Sequence, residues 1–373
     1  MLSMGIEAMV LLTSLAILLL VPPIWNHLIP TSQRLKLKSE SSNVTFLNTK
    51  PQEYSEYFAS LRGIAILAVI VIHVTYFYVY YTESFTTSMH VANNALRFAV
   101  AAFFIASGAL LSQPQLTVTW LRHFYTRRFI AIGIPYGVVT FYLVWFAGGN
   151  ITDFIYQFLT GTASVPFYFI VALFQLYILY PVLYHVAQQR WFVFLTLLLS
   201  MFEYLTGTVY SIFGVTNFIP YLFYFVWGIY MRSVFTQAQE RKTLVWWPWV
   251  FCIGLYAVLQ LYYGFDRFFN GQYFYSIAIC MIWFNLYSLH TIPDRALSVL
   301  GWFGQHSLWI FLLHFTVMLW IFPLFHDTTS GTVSISSIIG FALASVFSSI
   351  LFSEVVRRIY AKVQSVVVET AKR

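Results

Sequence analysis

Ser60 to Tyr81, SLRGIAILAVIVIHVTYFYVYY, is an apolar run of membrane-spanning length with an arginine near its start and a histidine halfway along. Ten residues separate Arg62 from His73. At 100° per residue, eleven steps come to roughly three full turns, so both side chains fall on one helix face about 16 Å apart. Arg62 then sits at the water interface and His73 near the depth of the bilayer midplane. An ionisable group at that depth costs several kcal/mol unless it faces a polar cavity or a partner, which makes it the first candidate for a functional site. The plainer reading is a histidine hydrogen-bonded to a neighbouring helix for packing specificity.

The rest of the composition agrees with a membrane solvent. Hydrophobic residues make up 60% of the 373-residue chain and charged residues 9%, against about a quarter charged in ordinary soluble domains. The chain therefore reads as all-α, a polytopic integral membrane helical bundle. Aromatic residues reach 20%, suited to interfacial belts and also to platforms for sugar rings. The net charge of +7 does not point to nucleic acid, because the basic residues lie at helix ends where topology alone explains them. Cys252 and Cys280 both lie in apolar segments, so neither a disulfide framework nor a metal site is expected and both read as core residues.

Working outward, Met4 to Ile24 reads as a first, uncleaved helix, followed by a polar stretch to Phe58 with Arg34, Lys36, Lys38 and Lys50. Further spans are expected near 60–81, 94–112, 129–147, 164–184, 191–206, 217–231, 244–263, 272–290, 306–325 and 334–354, which with the first makes eleven. On this alternation eighteen of the twenty Lys and Arg residues fall on one side and only Arg97 and Arg267 on the other. The positive-inside rule then places the N-terminus outside and the C-terminus in the cytoplasm, and the plasma membrane is the expected location. Asn150 to Pro166 is too polar to span and is expected along the outer interface.

FASLRGIAILAVIVIH resembles the opening helix of the membrane acyltransferase 3 family, whose signature is an arginine and a histidine separated by ten residues. FFIASGALL at 103–111, FYTRRFIAIGIPY at 124–136, PFYFIVALFQLYILYPVL at 166–183 and GQHSLWIFLLHFTV at 304–317 are similar to later family segments in the same order. The resemblance runs from residue 56 to the C-terminus. It divides the chain into 1–55, an extra N-terminal transmembrane helix and cytoplasmic loop, and 56–373, a ten-helix membrane acyltransferase domain. It implies transfer of an acyl group, usually acetyl, from cytosolic acyl-CoA to a hydroxyl of a cell-envelope or extracellular polysaccharide. Acyl-CoA is then a donor substrate and no cofactor is permanently bound. The family often carries Asp where Ala59 stands; Glu56, about one turn earlier, is the candidate replacement. No extracellular hydrolase-like domain is present in the sequence, so relay to the glycan falls to the membrane domain or to a separate polysaccharide-synthesis partner.

Acyl transfer to an alcohol needs a base or a nucleophile, and donors for the oxyanion. His73 fits either of the first two roles. Arg62, with Arg122, Arg127 and Arg128 in the next inner loop, offers guanidiniums for the donor's phosphates, although any inner loop should be basic. The Arg62–His73 separation matches the reach of an extended pantetheine arm. His314, in a late span, and Arg97 and Glu203, near outer helix ends, are candidates for an acceptor cavity; for Arg97 and Glu203 the plainer expectation is snorkelling to the interface. Ser107 and Gly108 lack a GxSxG elbow and read as small residues allowing close helix packing. The rival reading, from a different class, is an exporter or flippase for a polysaccharide or lipid-linked sugar. It would be favoured by paired half-repeats and broken helices at matching positions, and neither is clear in the sequence.

Overall fold

A computed structural model of the full chain describes residues 51–82, 87–207, 216–241, 247–263, 271–325 and 335–370. The expected first helix and the four basic residues after it lie outside these. Every regular element among the described residues is helical. In chain order they are α1 (Pro51–Thr82), α2 (Thr87–Leu96), α3 (Phe98–Ala109), α4 (Val118–Arg128), α5 (Ile134–Phe146), α6 (Ile151–Thr160), α7 (Tyr168–Val186), α8 (Arg190–Thr206), α9 (Ile219–Arg241), α10 (Trp247–Tyr263), α11 (Gly271–Ser288), α12 (Asp294–Ile321) and α13 (Ile335–Thr370).

Six stretches are long and apolar enough to cross a membrane: Ser55–Tyr78, Met89–Ala109, Val118–Phe146, Val165–Val186, Asp294–Leu324 and Ser336–Tyr360. The third is α4 and α5 joined without a break by a π-helical turn, Phe129–Gly133. The remaining expected spans over 191–263 and 272–290 do fold as helices, α8 to α11, but by length and composition they do not reach that standard, so the structure does not establish eleven crossings. For α8 and α10, 17 residues each, the reason is length, and for α9 and α11 it lies in their side chains. Ser200, Glu203, Tyr224, Gln260, Tyr273, Ser276 and Asn285 lower the hydropathy of these helices, yet all are buried between helices rather than turned to lipid. Asn150 and Asp153, which make the 150–166 stretch polar, form a reciprocal capping box at the start of the short helix α6, and Tyr136 donates to the Phe158 carbonyl at 2.9 Å to hold α6 against α5.

Two glycine-mediated crossings set the bundle. A Cβ on Gly63 of α1 would stand 2.0 Å from the Leu300 carbonyl oxygen of α12, and one on Gly304 of α12 would stand 1.8 Å from that of Ala59. Gly108 of α3 and Gly228 of α9 repeat the arrangement against Phe225 and Ile105, each at 2.1 Å. Without the glycines these backbones could not meet. Further along, Phe77 of α1 packs on Phe322 after α12, so the contacts advance together and the two helices run parallel. At the end of the bundle where α1 begins, Tyr57 and Ser60 bond α11 through Cys280 and Trp283. Glu354 accepts hydrogen bonds from Arg357 and Arg358 at the same end and lies 3.7 Å from His306 of α12.

Gly304→Val should therefore overpack the α1–α12 crossing at a cost of about 1–3 kcal/mol or more, seen as a lower thermal midpoint and a smaller monodisperse fraction in detergent. Gly301, with nothing within 4 Å of its would-be Cβ, is the control: Gly301→Val should behave like the parent. Equal behaviour of the two variants would show that the crossing is looser than described.

Candidate active site

The α1–α12 crossing determines what lies beyond it. His73 follows Gly63 by ten residues and His314 follows Gly304 by ten, so two parallel helices in register carry both histidines to one level. There His314 Nε2 lies 3.3 Å from His73 Nδ1, with ring centroids 4.9 Å apart. His73 is 9% exposed and His314 fully buried. His314, expected at an acceptor cavity, thus has the other histidine as its neighbour.

The hydrogen bonds determine the tautomers. His73 Nδ1 is 2.8 Å from the Val69 carbonyl oxygen, and His314 Nδ1 is 2.7 Å from that of Phe311 and 3.1 Å from that of Ile310. A carbonyl oxygen only accepts, so each Nδ1 carries the hydrogen. In the neutral pair His314 Nε2 then accepts from the His73 Nδ1–H, which it shares with the nearer Val69 carbonyl oxygen. His73 Nε2, on the other edge of its ring, then carries a lone pair of its own. Phe315 and Tyr76 pack around the His73 ring, and past it Phe77, Tyr78, Phe315, Phe322 and Phe341 fill the space between α1, α12 and α13 with aromatic side chains.

Arg97 lies at the same level on the other side of α1. Asn93 of α2 donates to Thr75 Oγ1 at 2.7 Å and to the Ile72 carbonyl at 3.3 Å, and its Oδ1 accepts from Arg97 Nε at 3.0 Å. Asn93 therefore braces the turn of α1 that carries His73 and stations the guanidinium beside it. The phenols of Tyr168, Tyr204, Tyr221 and Tyr256 lie within electrostatic range of Arg97. Three of these stand on first or last turns of helices: Tyr168 opens α7, Tyr221 opens α9 and Tyr204 closes α8. The rings of Phe104, Tyr221 and Tyr168 stack in series, at 4.7 and 5.9 Å between centroids. Glu203, 3% exposed, accepts from Asn217 Nδ2 at 3.0 Å in the same neighbourhood. Neither Arg97 nor Glu203 snorkels. Both turn inward, where the amides of Asn93 and Asn217 bond them.

Towards the other end of α1, Arg62 and Arg128 converge on Tyr177 of α7. The Arg128 guanidinium stands 5.4 Å from the centre of the Tyr177 ring and 5.5 Å from that of Phe124, while Arg62 lies within electrostatic range of the same phenol. Trp120, Phe124 and Tyr180 form a stack below Arg128, and Tyr180 donates to the Ser112 carbonyl at 2.6 Å. Arg62 Nε is buried and makes no hydrogen bond among the described residues. Arg122 and Arg127, on the outer face of α4, are exposed and stand apart from the Tyr177 cluster, and Glu56 is exposed as well. Sequence reasoning missed Tyr177 and the tyrosine group, since nothing about a tyrosine in an aromatic-rich helix marks it out. The two glycine-plus-ten histidines were a usable signal for the pair.

Among the described residues no group of three His, Cys, Asp or Glu side chains could hold a metal ion, and Cys252 and Cys280 are buried free thiols. A family model described as an acyltransferase domain matches residues 56–354, most of the chain. No curated protein and no solved structure matches significantly.

Proposed function

The chain belongs to the acyltransferase family whose model it matches, and from that premise we propose an integral membrane O-acyltransferase that moves an acyl group, acetyl in the simplest case, from cytosolic acyl-CoA to a hydroxyl of an envelope polysaccharide. One observation carries the reading: an arginine–aromatic cluster lies towards the end of the bundle where α1 begins, and the histidine pair lies further along α1, level with Arg97 and the tyrosines in its electrostatic range. On the orientation given by the basic loops, the arginine–aromatic cluster faces the cytosol and the tyrosines around Arg97 the outside.

The roles follow from the chemistry of each cluster. Arg62 and Arg128 hold the donor's phosphates, with Arg122 and Arg127 drawing the polyanion to the inner face. A buried Arg62 Nε without an acceptor among the described residues supports this, since an unmet buried donor costs about 1–3 kcal/mol that an anion would relieve. Eleven helical steps, about 16 Å, then separate Arg62 from His73, a distance that the pantetheine arm spans. Tyrosine faces and hydroxyls around Arg97 suit a sugar, apolar on its ring face and polar at its rim. His73 Nε2 takes the hydroxyl proton as the acceptor oxygen attacks the thioester carbonyl. The C–S bond then breaks and the proton passes to the leaving thiolate. The aromatic filling beyond His73 supports transfer over passage of a whole glycan along α1 and α12. Purified protein given acetyl-CoA and a panel of envelope polysaccharides should release coenzyme A thiol faster with one of them. No release with any polysaccharide, together with movement of a glycan across proteoliposomes, would favour the exporter.

A further inference from the structure

The histidine pair contains a group that the proposed chemistry has not used. His314 is fully buried, and its Nε2 lies 3.3 Å from His73 Nδ1, whose one hydrogen is shared with the Val69 carbonyl oxygen at 2.8 Å. Its orientation is held from the other edge, where Nδ1–H is shared between two carbonyls of its own helix. Phe103, Phe169 and Phe311 surround this part of the bundle, so an apolar residue would fill the position at lower desolvation cost.

We propose that His314 is a positioning residue that stores a proton for His73. As His73 Nε2 takes the acceptor hydroxyl's proton, His73 Nδ1–H moves to His314 Nε2, so the positive charge rests on His314 and His73 stays neutral. When the C–S bond breaks, the thiolate takes the proton from His73 Nε2 and His314 returns its proton to His73 Nδ1. The sum is unchanged: thioester and alcohol give ester and thiol, and both histidines end as they began. The device keeps a full charge away from the reacting centre, where Arg97 is already in electrostatic range of His73. The proposal rests on the acyl-transfer reading and names the partner of its base.

The test uses the full chain in nanodiscs, acetyl-CoA as donor and glycerol supplying the hydroxyl, with single-turnover thiol release followed in mixtures of light and heavy water. His314→Gln keeps an oxygen to accept from His73 Nδ1–H but cannot take a proton. The rate constant should fall roughly 10²-fold, in the range of lost proton-transfer assistance, with the acetyl-CoA KM within twofold of the parent. The parent's rate should curve with deuterium fraction, as two moving protons require, and the variant's should become linear. A near-parent rate in His314→Gln, or a lowered rate that keeps the parent's curvature, overturns the relay. So does a linear dependence in the parent, which needs no variant to fold. If the parent releases no thiol in response to the added hydroxyl, the acyl-transfer reading itself fails, an outcome distinct from loss of the relay alone.

Discussion

His73→Gln protein, correctly inserted, should lose about 10²–10⁴-fold in turnover, the worth of a general base, while binding acetyl-CoA as tightly as the parent. Glutamine preserves size and a hydrogen-bond donor for the Val69 carbonyl, so the fold around α1 and α12 should persist. What it removes is the lone pair at the position of His73 Nε2. A structural histidine would give the opposite pattern, with lowered stability and turnover falling only in proportion to folded protein. Thermal midpoint, donor affinity and single-turnover rate measured on one preparation separate the cases. A stable variant with parent-like turnover removes His73 from the chemistry.

The second large effect is expected at the arginines facing Tyr177. Arg62→Ala and Arg128→Ala should each weaken donor binding by roughly ten- to a hundredfold, since charge-assisted contacts are worth about 1.5–3 kcal/mol. Arg122→Ala and Arg127→Ala, on the exposed face of α4, should act mainly through long-range attraction, with smaller losses that disappear as salt is raised. Isothermal titration with coenzyme A at two ionic strengths distinguishes the groups. If all four variants respond alike, or if Arg62→Ala binds like the parent, the Tyr177 cluster is not where the phosphates rest.

Much of the helical architecture was legible because a membrane allows few answers. Long apolar runs must satisfy their backbone internally, and charge at the loops indicates alternation. The polar helices α8 to α11 were harder. Hydropathy registers that Tyr224, Gln260 and Ser276 are present but not which way they point. His73 was visible for a local reason, a titratable side chain deep in an apolar run. Its pairing with His314 was not, because the two are 241 residues apart and no helical periodicity links separate helices. Gly63 and Gly304, each ten residues before a histidine, held that information, and reading it required knowing that the helices cross at those glycines. Arg97 and Glu203 sit where snorkelling is the default. Only Asn93, Asn217 and the tyrosines, brought from distant parts of the chain, explain why they turn inward.

The central claim is that one histidine joins a donor from one side of the membrane to an acceptor on the other. Proteoliposomes with the protein in a single orientation test it, with radiolabelled acetyl-CoA sealed on the side where α1 begins and the responsive polysaccharide supplied only on the opposite side. The account predicts label on the outer polysaccharide with parent protein and about 10²–10⁴-fold less with His73→Gln. Label that appears only when donor and polysaccharide share a compartment, or label undiminished in His73→Gln, would contradict it.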